Sequence, residues 1–306
     1  MTQILSYLRE YATSIDKWLL IFSIIFIGVF IVINYRFGLE TKIISNLNSR
    51  WDKFIGFYLV YATAFIIPYL FIYFFRPHQI TSPSFFWILL LIAPALFALK
   101  VTVPNPFNLL PASAVNRFIA IVTNLPFKLL ILLVPLFILY WLTPGQTHFW
   151  GLTTTNFKWQ PYFLMLLFML PLIAFASSQA DFLATYPKLK QIAFIQPHTK
   201  NMWWYKLLYE ISYGIDFISI ELFFRGFLVF AFVKYAGPSA IIPMATFYCS
   251  IHFGKPLLEC ISSFFGGMLL GIVASNTQSI AGGLVVHLGI AWLMEAGGFL
   301  GNLIKK

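Results

Sequence analysis

Long apolar runs, each close to the length of a bilayer-crossing helix, follow one another along most of the chain with short polar punctuation between them. Spanning a hydrocarbon core takes about 20 apolar residues as a helix. Runs approaching that length lie at 18–35, 54–75, 84–100, 126–142, 160–178, 207–234, 239–253, 257–275 and 279–300. The pattern predicts an all-α polytopic integral membrane protein of about eight or nine transmembrane helices. The first run, Trp18 to Tyr35, follows a polar tail bearing both signs of charge and precedes no small-residue cleavage pattern. It therefore reads as a retained helix and not as a signal peptide.

Composition narrows the class further. Of 306 residues, 60% are hydrophobic and only 10% charged, whereas a soluble domain carries roughly a quarter of its residues as charges. Lipid accepts the 35 Phe and 15 Tyr on the outside or between helices. The net charge of +10 is spread over short loops and forms no single basic face, so it points to positive-inside topology and not to nucleic acid. Arg36, Lys42, Arg50 and Lys53 mark the first loop as cytoplasmic. Lys100 and Arg117 do the same for the third, Lys188, Lys190, Lys200 and Lys206 for the fifth, and Lys255 and the Lys305–Lys306 tail for the last two. Segments 143–160 and 275–278 are almost uncharged. The expected topology has the N-terminus outside and the C-terminus cytoplasmic, in a bacterial inner membrane. Cys249 and Cys260 lie in apolar stretches without CxxC spacing, which supports neither a disulfide framework nor a zinc knuckle.

Charge also divides the chain. Residues 181–206, with Pro187, Pro197, four Lys and the Trp203-Trp204-Tyr205 triplet, read as an interfacial segment leading into an aromatic belt. Helices upstream carry almost no ionisable groups and those downstream carry many. The expected organisation is a set of N-terminal transmembrane helices at 1–159 and a second transmembrane domain at 160–306 that holds a polar cavity.

An ionisable side chain at the bilayer centre costs about 2.5–3.5 kcal/mol on insertion scales, so a cluster of them marks a functional region. Glu210, Asp216, Glu221 and Arg225 fall on one predicted helix, His252 ends the next, Glu259 begins another, and His287 and Glu295 share the last. Glu221 and Arg225, at i and i+4, neutralise one another on one helix face and read as a structural salt bridge. Gly283, His287, Ala291 and Glu295 recur every fourth residue, a stripe of polar and small groups that lets another helix approach. Gly267 and Gly271 form a GxxxG packing face. There is no HExxH and no GxSxG, and Cys249-x-x-His252 alone is a weak metal signal, so neither a metal nor another cofactor is expected. What remains is acid–base chemistry in a water-filled intramembrane cavity.

The run Ile220-Glu-Leu-Phe-Phe-Arg225-Gly226, then Tyr248-Cys-Ser-Ile-His252, then His287 in an Ala-Gly-Gly-Leu-Val-Val-His context resembles the CaaX protease and bacteriocin-processing (CPBP, or Abi) family over roughly residues 160–300. That family's pattern is EExxxR, FxxxH and HxxxN. The resemblance implies an all-helical CPBP-like bundle with a cavity open to the cytosol. In proteolytic members the first Glu and the middle His activate a water, while the last His and the Asn hold the oxyanion. Glu221 matches the second Glu, Arg225 the Arg, His252 the middle His and His287 the last His. Ile220 stands where the first Glu is expected, Tyr248 replaces Phe, and Ala291 replaces Asn.

Asp216, one turn before position 220, and Glu295, one turn beyond 291, are candidate stand-ins for the missing groups. The candidate catalytic set is therefore Glu221, His252, His287, Asp216 and Glu295. Two functions follow from the resemblance. One is an intramembrane endopeptidase that hydrolyses a peptide bond of a peptide or membrane-protein substrate with a carboxylate- and His-activated water. The other is an inactive CPBP-fold scaffold or assembly factor that binds a partner protein in the bilayer. A transporter would call for two related halves, and the polar groups occupy only one.

Overall fold

Every apolar run folds as helix, and among the described residues there is no strand. The structure is a computed structural model that describes residues 2–304 apart from Ser82, Pro144, Gln146, Thr147 and Asn156. The Lys305–Lys306 pair used to place the C-terminal tail lies outside the described residues. In chain order the helices are α1 (Thr2–Ser14), α2 (Lys17–Phe37), α3 (Arg50–Phe75), α4 (Ser84–Thr102), α5 (Ala114–Leu142), α6 (Gln160–Ala176), α7 (Ala180–Thr185), α8 (Met202–Glu221), α9 (Val229–Ala236), α10 (Ile241–Ser250), α11 (Leu257–Thr277) and α12 (Ala281–Ile304).

Six of these are long and apolar enough to cross a membrane: α2, α3, α4 with the turn after it, α5, α11 and α12. The count becomes seven if α6 and the stretch 180–198, bent by 97° against it, form one span. The expected eight or nine included the runs 207–234 and 239–253. The first of these is α8, a π-helical turn at Leu222–Leu228, and α9. Lys206, Glu210 and Asp216 make α8 too charged to pass as an ordinary span. The second is α10, only ten residues long and buried along its whole length. The polar tail before Trp18 also proves to be helical, as α1, which packs against α11.

Lipid explains the outer surface. Ile21, Ile25, Val29 and Val32 of α2 and Val134, Phe137, Ile138 and Trp141 of α5 are exposed, an arrangement that only an apolar solvent tolerates over such an area. The N-terminus of α2 is closed by Asp16, whose carboxylate accepts from the backbone N–H groups of Trp18 and Leu19 at 2.8 and 3.0 Å. Arg76 Nε at the far end of α3 donates to the same carboxylate at 2.6 Å. Burial pushes the Asp16 carboxyl upward, but the donors from Leu19, Arg76, Gln79 and Trp18 outweigh it and hold the group below the usual range.

Inside the bundle, aromatic rings do the packing. Phe247 of α10 lies 5.5 Å from Phe65 of α3, 5.9 Å from Phe97 of α4 and 5.2 Å from Phe224 in the π-helical turn. Each such pair contributes about 0.5–1.5 kcal/mol beyond area burial, and within lipid this close packing is the main force between helices. The α10–α11 contact is made by small residues: Gly267 faces the ring of Tyr248 and Gly271 faces Ile241 and Met244. Thus α10, with no lipid contact of its own, becomes the rigid wall that carries Tyr248 and, at its end, His252.

Candidate active site

The site is assembled from helix ends and one irregular turn. Glu221 closes α8 and Arg225 stands in the π-helical turn that follows, the kind of local widening found often at functional positions. Both side chains are fully buried, with Arg225 Nη1 3.1 Å from Glu221 Oε1. The guanidinium also lies 4.1 Å from the centre of the Tyr248 ring, so its charge is met by a carboxylate and a π-face. Gly283 of α12 lies against the other Glu221 oxygen, where a Cβ atom would overlap it. Glycine at this point of the stripe lets α12 close onto the ion pair.

From that pair a hydrogen-bonded chain leads into the cavity. His287 Nδ1 lies 3.0 Å from Glu221 Oε1. A carboxylate ionised against Arg225 only accepts, so Nδ1 carries the hydrogen and Nε2 carries the lone pair. The Tyr248 hydroxyl, 2.9 Å from Nε2, donates to it. His252, in the turn after α10, has Nδ1 2.9 Å from the Tyr248 carbonyl oxygen. A carbonyl likewise only accepts, which leaves Nε2 of His252 as an unprotonated nitrogen.

A cavity of about 250 Å³ is lined by His252, His287, Tyr248, Ile220 and Asp216. Glu221 stands behind His287 and is not part of the wall. Lys100, Lys128 and Lys255 line the same space, as does Glu40 from the connection between α2 and α3.

The remaining candidates are placed differently. Asp216 meets Lys100 Nζ at 2.8 Å, and Lys100 also reaches Ser219 Oγ at 2.6 Å. Lys100, read from sequence as a loop charge, is therefore buried and paired inside the bundle. Glu295 lies away from the cavity, where its two oxygens accept from the backbone N–H groups of Lys188 and Leu189 at 2.6 and 3.0 Å and so cap the 3-10 helical stretch 188–198. Glu259 pairs with Lys255 at 3.2 Å and accepts from the Tyr186 hydroxyl at 3.1 Å. Among the described residues no group of three or more His, Cys, Asp or Glu is gathered as a metal site.

The pairing of Asp216 gives a direct expectation. Asp216→Asn leaves the Lys100 ammonium buried without its counter-ion, so the melting temperature of the purified protein should fall, and Lys100→Met in the same chain should recover much of the loss. An Asp216→Asn variant that melts with wild type yet loses turnover would return Asp216 to the catalytic set.

Sequence reasoning overlooked three groups here. The Tyr248 hydroxyl was visible only as a departure from Phe. Lys128 is a lone charge within an apolar run, a signal that the intramembrane cost of charge should have flagged. Glu40 lies among the basic residues of the 36–53 connection, where nothing local in the sequence marks it out. Burial pushes its carboxyl up to about 7, against the opposing pull of the Lys255 charge and the Gly254 N–H.

The fold and the cavity define a polytopic helical membrane protein with a histidine- and carboxylate-bearing polar interior. Residues 202–293 match the family model described as "Rce1-like: Type II CAAX prenyl endopeptidase Rce1-like", consistent with a CPBP family member. The matched stretch contains Glu221, Arg225, Tyr248, His252 and His287. No curated protein and no solved structure matches the chain.

Proposed function

We propose that this protein is an intramembrane endopeptidase of the CPBP type, hydrolysing a peptide bond of a peptide or membrane-protein substrate that enters the cavity. The observation that carries this reading is the position of two histidines, one hydrogen-bonded to the Tyr248 hydroxyl and one to the Tyr248 backbone carbonyl, both lining one polar cavity. His252 Nε2 accepts from a water and orients it toward a substrate carbonyl. As the oxyanion develops, the Tyr248 hydroxyl turns from His287 Nε2 to donate to it, and the Arg225 guanidinium behind the Tyr248 ring supplies compensating positive charge. Ala291 removes the family's Asn from this arrangement, and Tyr248 brings to the same histidine a hydroxyl that Phe lacks.

The competing reading is a scaffold that binds a partner protein through the same cavity, and Ile220 and Ala291 at the two motif positions favour it. Terminal-peptide mass spectrometry of membranes separates the two. Cells carrying wild type should yield new protein termini that are absent with His252→Ala at matched protein levels. If the two sets of termini are identical, the scaffold is the correct function.

The proposed setting is a bacterial inner membrane with the 36–53 connection in the cytoplasm, because Arg36, Lys42, Arg50 and Lys53 gather there. A single cysteine introduced as Arg50→Cys, in a chain with Cys249 and Cys260 changed to Ala, should react with an impermeant maleimide only after the membrane is opened. Labelling of intact cells would reverse the topology.

A further inference from the structure

Carboxylates near the cavity are mostly committed elsewhere. Glu221 is held by Arg225 and His287, Asp216 by Lys100 and Ser219, and Glu259 by Lys255 and Tyr186. Glu40 lines the cavity with His252 and, among the described residues, has no ion pair closer than 4 Å. It stands in a short π-helical turn, Leu39–Ile44, that follows α2 and brings its carboxylate to the cavity wall. Its placement is built in several ways. The Glu40 backbone N–H donates to Asn34 Oδ1 at 3.1 Å, and Asn34 Nδ2 donates to the Phe253 carbonyl at 2.9 Å. The Tyr35 hydroxyl donates to the Lys255 carbonyl at 2.6 Å. Gly254 presents its bare Cα to the carboxylate, and a Cβ there would come within 2.6 Å of Glu40 Oε1. The turn that bears His252 and the turn that bears Glu40 are thus fastened to one another.

Resting on the peptidase reading above, we propose that Glu40 is the general base, supplying from outside the family-matched segment the carboxylate that Ile220 lacks. Glu40 takes a proton from the water that His252 Nε2 orients, as the water oxygen bonds to the carbonyl carbon. When the tetrahedral intermediate collapses, the C–N bond breaks and Glu40 returns the proton to the leaving amine. The products are a carboxylic acid, which gives its proton to water on release, and an amine, and the site ends in its starting state. A base poised near neutrality suits this two-way transfer, and burial brings the Glu40 carboxyl to that range. The titratable groups that face it are Lys255, His252 and Tyr61, with Lys100, Lys128 and Asp216 across the cavity.

The test uses full-length protein in native membrane vesicles at matched levels and reads the rate at which His252-dependent termini form. Glu40→Gln keeps the shape and the acceptor for Gly254 while removing the base, so the rate should fall by about 10²–10⁴-fold. The wild-type rate should rise with pH through about 7 as Glu40 ionises, and this limb should vanish in the variant. Ile220→Glu added to Glu40→Gln returns a carboxylate to the same cavity wall and should recover part of the rate. Termini formed by Glu40→Gln at the wild-type rate overturn the role of Glu40 and leave the peptidase intact. A loss that keeps the wild-type pH limb makes Glu40 structural and also overturns its role. If no termini depend on His252, the peptidase reading fails and the role of Glu40 falls with it.

Discussion

Glu221→Ala should be among the most destabilising single changes in the protein, at a cost of about 3–5 kcal/mol. Removing the carboxylate leaves the Arg225 guanidinium fully buried, with only the face of Tyr248 to balance it. His287 would lose the acceptor that sets its tautomer at the same time. Replacing both partners by Glu221→Gln with Arg225→Met takes away the charge that needs balancing, so the double variant should melt well above the single one. The measurement is thermal unfolding of detergent-purified protein, together with accumulation in membranes. A Glu221→Ala chain that folds and accumulates like wild type while losing only turnover would move Glu221 from a supporting role to direct chemistry.

His252→Ala should act on the opposite quantity. Among the described residues its imidazole hydrogen-bonds only the Tyr248 backbone, four residues earlier in the chain, and losing that one bond costs about 0.5–1.5 kcal/mol. On the proposed peptidase reading, turnover should nevertheless fall by about 10²–10⁴-fold, because that reading assigns Nε2 of His252 the positioning of the attacking water. The discriminating result is the ratio of the two effects: a near-unchanged melting curve with cleavage almost gone. Equal losses in stability and turnover would make His252 a packing residue.

How much of this was readable in the chain depends on the range of the interaction. Helices announce themselves locally, and the runs that became α2, α3, α11 and α12 were visible within a residue or a few of their observed ends. The Glu221–Arg225 pair is likewise a local, i to i+4 relation. Runs 207–234 and 239–253 were legible as helical but not as something other than simple spans. The π-helical turn at 222–228 and the complete burial of α10 depend on neighbours far away in sequence. Asp216 and Glu295 show the same limit. Each sits on the predicted helix face, yet Lys100 and the 188–189 backbone, both distant in sequence, decide what its carboxylate holds. The Lys100 charge carried two meanings, loop marker and buried counter-ion, and sequence alone offered only the first. Glu40 was hidden for the same reason: only tertiary docking distinguishes a carboxylate that lines a cavity from one in a solvated loop.

The bonds from Asn34 and Tyr35 to the carbonyls of Phe253 and Lys255 join positions about 220 residues apart. During synthesis α2 enters the membrane long before the His252 turn exists, so these two bonds form only once α10 and the turn that follows it have arrived. The turn cannot take its final shape before that closure. The final geometry around His252 is therefore a property of the assembled bundle, set only when two segments about 220 residues apart in the chain have met.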